Sequence, residues 1–144
     1  MNDTAVDLVC ARLERKEEGF RALPYDDATG KPVRAPIGHI TWLYGINLET
    51  SGTPELGDVV TRYLIGKEES RLMQYQWYLQ TDTVRQSVLL DIAYNAGDLL
   101  HFPKMLAAFL AKDWLTAAAE CEVTNPELKS RYDNFKRIIL SGAP

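Results

Sequence analysis

Apolar residues recur along this chain in two different rhythms. Over residues 4–17, Val6, Val9 and Leu13 fall at helical spacing with charges between them, which predicts an amphipathic helix stopped near Gly19. Over 20–48 that rhythm is lost. Gly30, Gly38, Gly45, Pro24, Pro32 and Pro36 punctuate the stretch, and the runs 37–43 and 44–48 are β-favouring. This predicts a small antiparallel sheet with turns at 26–30 and 36–38. From Thr53-Pro54-Glu55 onward the helical rhythm returns, with a hydroxyl to cap and Pro in the first turn. Gly66 is expected to divide the first part into helices over 54–65 and 67–80. Thr83 is expected to cap a helix carrying Val84, Val88, Ile92 and Asn95 and closing at Gly97. Short helices are expected over 103–111 and 113–121. In the last one Asn125 caps, Pro126 takes the first position, Leu128, Tyr132, Phe135 and Ile139 form the apolar stripe, and Gly142 ends it.

The pattern is thus one helix, a small sheet and a helical remainder. It predicts an α+β fold with the sheet segregated, built as one domain over 1–144. The β-lobe would span about 20–48, and the helical lobe about 54–142 plus the N-terminal helix. No repeat or low-complexity tract interrupts it.

Composition adds limits. The chain is 46% hydrophobic and 25% charged, as in ordinary globular proteins. A net charge of −4 argues against nucleic acid as the main partner, because phosphate contacts are made by Lys and Arg. The longest apolar run, over 105–111, is far below the roughly 18 residues a membrane span needs. No basic start followed by an apolar region marks a secretory signal, so a cytoplasmic beginning is expected. Cys10 and Cys121 lack zinc-ligand spacing and read as buried free thiols.

The stretch Glu18-Gly-Phe-Arg-Ala-Leu-Pro-Tyr-Asp-Asp27 places one carboxylate at a helix end and a second in a predicted turn. Glycoside hydrolysis uses such a pair, one protonated to donate to the leaving oxygen and one ionised. Spacing alone is weak, since Asp and Glu number 20 in 144 residues. Glu18 could equally be a solvated helix-end charge, and Asp27 a turn residue capping backbone N–H groups.

The flanking residues narrow this. Glu18-Gly19-x-Arg21-x-x-x-Tyr25-x-Asp27-x-x-Gly30 resembles the opening signature of the phage-type lysozymes, glycoside hydrolase family 24. Thr41-Trp-Leu-Tyr44-Gly45-Ile-Asn47 resembles that family's Thr-x-Gly-Tyr-Gly-x-Asn segment, and Tyr94-Asn95-Ala96-Gly97 its aromatic-Asn-x-Gly helix end. The stretch from Phe102-Pro-Lys to Asp113-Trp114 resembles its small helix pair, and Arg131 to Gly142 its closing helix. Three departures stand out. Residues 28–40 form a longer link than in compact members, Leu43 stands where the family has Gly, and the acidic total, net −4, is unlike many members.

The resemblance implies a lysozyme-like fold and cleavage of the β-1,4 bond between N-acetylmuramic acid and N-acetylglucosamine in peptidoglycan. It implies Glu18 as general acid, Asp27 as the carboxylate that activates water, and Thr41 as the hydroxyl that positions that water. Tyr44, Asn95 and Arg131 are candidates for binding the glycan, with Arg131 equally readable as structural. No cofactor or metal is expected. The implied role is a phage endolysin, a monomer held in the host cytoplasm until a holin opens a path to the wall in the periplasm. A particle-associated glycan-binding module and a lytic transglycosylase are the alternatives. His39 and His101 lack a partner nucleophile and read as surface or structural. Of the tryptophans, Trp42 is the one with a place near sugar, while Trp77 and Trp114 read as core.

Overall fold

The computed structural model describes residues 3–14, 20–35, 38–43 and 45–144. Helix α1, Ala5–Arg12, opens with a reciprocal cap: Thr4 Oγ1 accepts from the Asp7 backbone N–H at 3.2 Å, and Asp7 Oδ2 accepts from that of Thr4 at 3.0 Å. Its buried residues are Ala5, Val9 and Cys10, followed by Leu13. The stop expected near Gly19 falls outside the described residues.

The expected β-lobe is largely absent. Its described part holds one antiparallel pair, β1 (Thr41–Trp42) with β2 (Ile46–Asn47), Thr41 facing Asn47 and Trp42 facing Ile46. Tyr25 and Pro32 add an isolated bridge across the 26–30 turn. Among the described residues 61% are helical, so the fold is a helical one with a short hairpin attached, not the α+β, lysozyme-like class expected from the sequence. The cause lies in the segment itself. Pro24 and Pro32 withhold backbone donors, both β1 residues are exposed, and a hairpin with no face to bury stays short. Leu43, where the resembling family has Gly, adopts φ +51° in the tight turn between β1 and β2. An L-residue pays about 1–2 kcal/mol for that conformation.

Helix α2, Pro54–Leu72, is capped by Thr53 Oγ1, which accepts from the Leu56 N–H at 3.2 Å. It runs unbroken through Gly66, contrary to expectation. Ile65 and Leu72 are buried two turns apart, and their packing outweighs the roughly 1 kcal/mol that a helical Gly costs. The chain turns at 73–75 into α3, Gln76–Leu79, where the Tyr78 hydroxyl donates to Glu69 at 3.0 Å and ties the two helices. Burial, then the Glu69 charge, raises the Tyr78 phenol far above its usual range.

Helix α4, Thr83–Ala96, is the centre of the molecule, packing on α1 and α2 and on the closing helix. Its cap is Asp82, not Thr83: Asp82 Oδ1 accepts from the Arg85 N–H at 3.0 Å. Every residue over 87–93 is buried. A 3-10 turn, Leu99–His101, leads to α5, Pro103–Ala111, and α6, Trp114–Glu120, the latter capped by Asp113. Asn125 caps a second 3-10 turn, Pro126–Leu128, which leads into α7, Lys129–Ser141. Tyr132, Phe135 and Ile139 are buried as expected, and Gly142 ends the helix at φ +66°. Arg85 seals this end. Its Nε donates to the Ile139 carbonyl at 2.6 Å, and its guanidinium lies 4.2 Å above the Trp114 ring. Cys10 and Cys121 are buried free thiols, and burial pushes the Cys121 thiol up to about 12.

Two glycines give opposite tests. A Cβ at Gly52 would meet the Ala22 carbonyl oxygen at 2.0 Å, a backbone atom with nowhere to go. Gly52→Ala is expected to lower the unfolding free energy by about 1–3 kcal/mol in urea titrations. A Cβ at Gly66 meets nothing within 4 Å. Gly66→Ala is expected to raise it by about 0.5–1 kcal/mol.

Candidate functional site

The chain encloses a cleft of about 1140 Å³. One wall is Leu13, Glu14, Phe20, Arg21 and Tyr25, the other comes from the first turns of α2, and Tyr94 and Asn95 at the end of α4 close the floor. The Gly52–Ala22 approach fixes how near the 20–25 segment comes to the start of α2. The Phe20 ring then lies over Gly57, where a Cβ would sit 3.7 Å from the ring.

The cleft carries charges of both signs. Arg62 on the α2 wall is neutralised twice, by Asp7 at 2.6 Å and Asp58 at 3.0 Å. The Asp7 carboxylate is held down at about 2, first by the Thr4 backbone N–H and next by Arg62. Arg21 lies across the Tyr25 ring, 5.1 Å from its centroid. It forms no ion pair among the described residues.

Beneath the floor is a buried polar network that the sequence reading did not anticipate. Asp91, with no exposed surface, receives Arg12 Nε at 2.8 Å and Arg131 Nη2 at 2.9 Å. Arg12 also donates to Ser87 Oγ at 3.0 Å and to the Ser87 carbonyl at 2.7 Å. Asn95 Nδ2 donates to the Asp91 carbonyl at 3.0 Å and to Asp91 Oδ1 at 2.9 Å. A carboxylate inside the run Val88-Leu-Leu-Asp-Ile-Ala93 was the available signal, since a charge on a wholly apolar helix face must find partners.

The candidate site residues fare differently. Glu18 and Tyr44 lie outside the described residues. Asn95 lines the cleft. Arg131 Nη2 donates to Asp91 Oδ1 at 2.9 Å. Asp27 is exposed in the 26–30 turn and is absent from the described cleft lining. The turn-capping role open to it belongs to Asp26, whose Oδ1 accepts from the N–H groups of Ala28 at 2.9 Å and Thr29 at 3.2 Å. Thr41 is exposed on β1, its hydroxyl donating to the His39 carbonyl at 3.4 Å, and it too is absent from the cleft lining. His39 pairs at the surface with Glu49 at 2.6 Å. Trp42 is 48% exposed, whereas Trp77 and Trp114 pack on the core.

Among the described residues no cluster of side chains suited to a metal ion is found, and no helix is long and apolar enough to cross a membrane. Compared with models of known families, with curated proteins and with solved structures, the chain gives no match. The family resemblance therefore rests on the order of its motifs alone.

Removing Asp91 takes the shared carboxylate from two half-buried guanidinium groups. Asp91→Ala is expected to cost about 3–5 kcal/mol, read as a lowered denaturant midpoint with an unchanged slope.

Proposed function

We propose that this chain is a peptidoglycan hydrolase cleaving the β-1,4 bond between N-acetylmuramic acid and N-acetylglucosamine. What supports the reading is where the matching motifs meet. Arg21 and Tyr25 of the first stretch and Tyr94 and Asn95 of the third, about 70 residues apart, line one cleft. Arg131 of the last stretch reaches Asp91, one helical turn before Asn95.

In the proposed reaction Glu18 protonates the leaving glycosidic oxygen. Asp27 takes a proton from water as that water attacks the opposite face of the sugar, inverting the anomeric carbon, and Thr41 helps hold the water. The reaction calls for no cofactor. The biological role proposed is a phage endolysin acting on the wall from the periplasmic side once a holin has opened the membrane.

One observation favours a second reading. Asp27 and Thr41 are exposed outside the described cleft lining, which suits a glycan-binding module that does not cleave. Digestion of purified peptidoglycan with mass spectrometry of the new ends separates the readings. A hydrolase yields reducing ends, a lytic transglycosylase yields anhydro ends, and a binding module yields affinity without products. Glu18→Gln is expected to slow release of reducing ends by about 10²–10⁴-fold with the circular dichroism spectrum retained. Turnover at the wild-type rate would remove Glu18 from the mechanism.

A further inference from the structure

We infer that Asp91 is a positioning residue for the cleft: it holds the Asn95 carboxamide in one sense, so that only the acceptor end of that amide is left to meet a ligand. The inference takes its ligand from the glycan-hydrolase reading and adds to it a residue that acts through another. Three observations carry it. First, both hydrogens of Asn95 Nδ2 are committed. One goes to the Asp91 carbonyl at 3.0 Å and the other to Asp91 Oδ1 at 2.9 Å. Second, Asp91 faces donors only. Its Oδ2 receives Arg12 Nε at 2.8 Å, and its Oδ1 receives Arg131 Nη2 at 2.9 Å beside the Asn95 amide. A carboxylate answers that set at both oxygens. Turning the Asn95 amide over would set its oxygen against two oxygens, so its sense is fixed by chemistry and not by shape alone. Third, the two residues stand at different depths. Asp91 has no exposed surface, whereas Asn95, one helical turn further on, is exposed and lines the cleft. A ligand in the cleft can reach Asn95 and cannot reach Asp91.

An unrestrained asparagine is ambivalent. Its carboxamide rotates, and it offers donors to one ligand and an acceptor to another. Held by Asp91, Asn95 offers its Oδ1 alone, and the group it takes from a ligand is an N–H or an O–H. The strands of peptidoglycan carry both, as amide nitrogens and as sugar hydroxyls. Fixing the amide before the ligand arrives also removes a rotamer cost from binding.

The test reads Asn95 directly. In wild-type protein with labelled asparagine side chains, the Asn95 NH2 protons are expected to exchange with water about tenfold more slowly than those of an exposed asparagine. On titration with a soluble disaccharide–peptide fragment of peptidoglycan, the Asn95 carbonyl-carbon shift should move while those protons stay protected. Protons released by the bound fragment would mean that the amide turns its donors to the ligand. An unmoved shift in a protein that binds would mean that Asn95 meets no ligand. Either result overturns the proposal. Calorimetry with the same fragment then closes a double-mutant cycle. Asn95→Ala is expected to weaken binding about threefold to tenfold, the range for one neutral hydrogen bond. Asp91→Ala should weaken it by a similar factor and speed exchange of the Asn95 protons. Most of that weakening should vanish when Asn95 is already replaced. A merely structural Asp91 would weaken binding equally in both backgrounds, and that result also overturns the proposal. Where Asp91→Ala does not fold, the exchange and shift measurements on wild type decide. Peptidoglycan turnover is run beside binding. A wild type that binds the fragment without cleaving overturns the hydrolase reading alone, and one that neither binds nor cleaves overturns both.

Discussion

Asp91 places a negative charge where no water reaches it, in the middle of the most buried stretch of α4. Such a charge is tolerable only when counter-charges and hydrogen bonds surround it. Arg12 arrives from α1 and Arg131 from α7, so the requirement is met by two helices far apart in sequence. The guanidinium of Arg12 also takes the side chain and carbonyl of Ser87, one turn earlier on α4. The network adds little net stability over an apolar core of the same shape. What it adds is position. An apolar side chain tolerates a sliding neighbour, whereas three bonds to a serine and a carboxylate fix the rotation and height of α1 against α4.

The cleft inherits that precision. Asn95 at the cleft floor donates its amide to Asp91, and its carbonyl oxygen has no partner among the described residues. Leu13 and Glu14, just after Arg12, begin one wall, so the same carboxylate that orients the floor anchors where that wall starts. The opposite wall is held separately. Arg62 ties α2 back to Asp7 in the first turn of α1, while Asp7 serves as the reciprocal cap of α1. Floor and walls are thus set by charge pairs lying just below or beside the surface a ligand would touch.

The helices were legible in the sequence because their signals are local. Thr53-Pro54, Asn125-Pro126 and the stripe through Tyr132, Phe135 and Ile139 state their own starts and faces. Gly66 misled because its cost is small and local, while the burial of Ile65 and Leu72 that outweighs it depends on tertiary packing. Thr83 misled by one position: Asp82 can cap as well, and its carboxylate also pairs with Arg85 at 2.8 Å, which the α7 end holds in place. The sheet was over-read for a third reason. Periodicity and β-propensity identify residues able to form strands, but strands last only if a face is buried, and Thr41, Trp42 and Leu43 are all exposed. At the cleft, the helix end that carries Asn95 was legible from its motif. Asp91 was not, because the pairs that justify it lie 79 and 40 residues away.

These differences bear on how the proposed chemistry could work. An inverting pair must keep its carboxyl groups about 6.5–9.5 Å apart, with room for one water between them. Asp27 belongs to the part of the molecule with the least burial to hold it. Its turn is kept by Asp26 and by backbone bonds, Gly30 N–H to the Asp26 carbonyl at 2.7 Å and Val33 N–H to the Pro24 carbonyl at 2.9 Å. The segment leading into that turn meets the rest of the molecule through the close approach of Ala22 to Gly52 and through the Phe20 ring over Gly57. Helix α2 presents one side of the cleft, and the segment that leads into that turn belongs to the other. Substrate bound against Arg21 and Tyr25 would press on that segment. In the proposed reaction, binding energy from parts of the glycan remote from the scissile bond thus has a direct route to the spacing of the two carboxylates, where it can be used in the transition state.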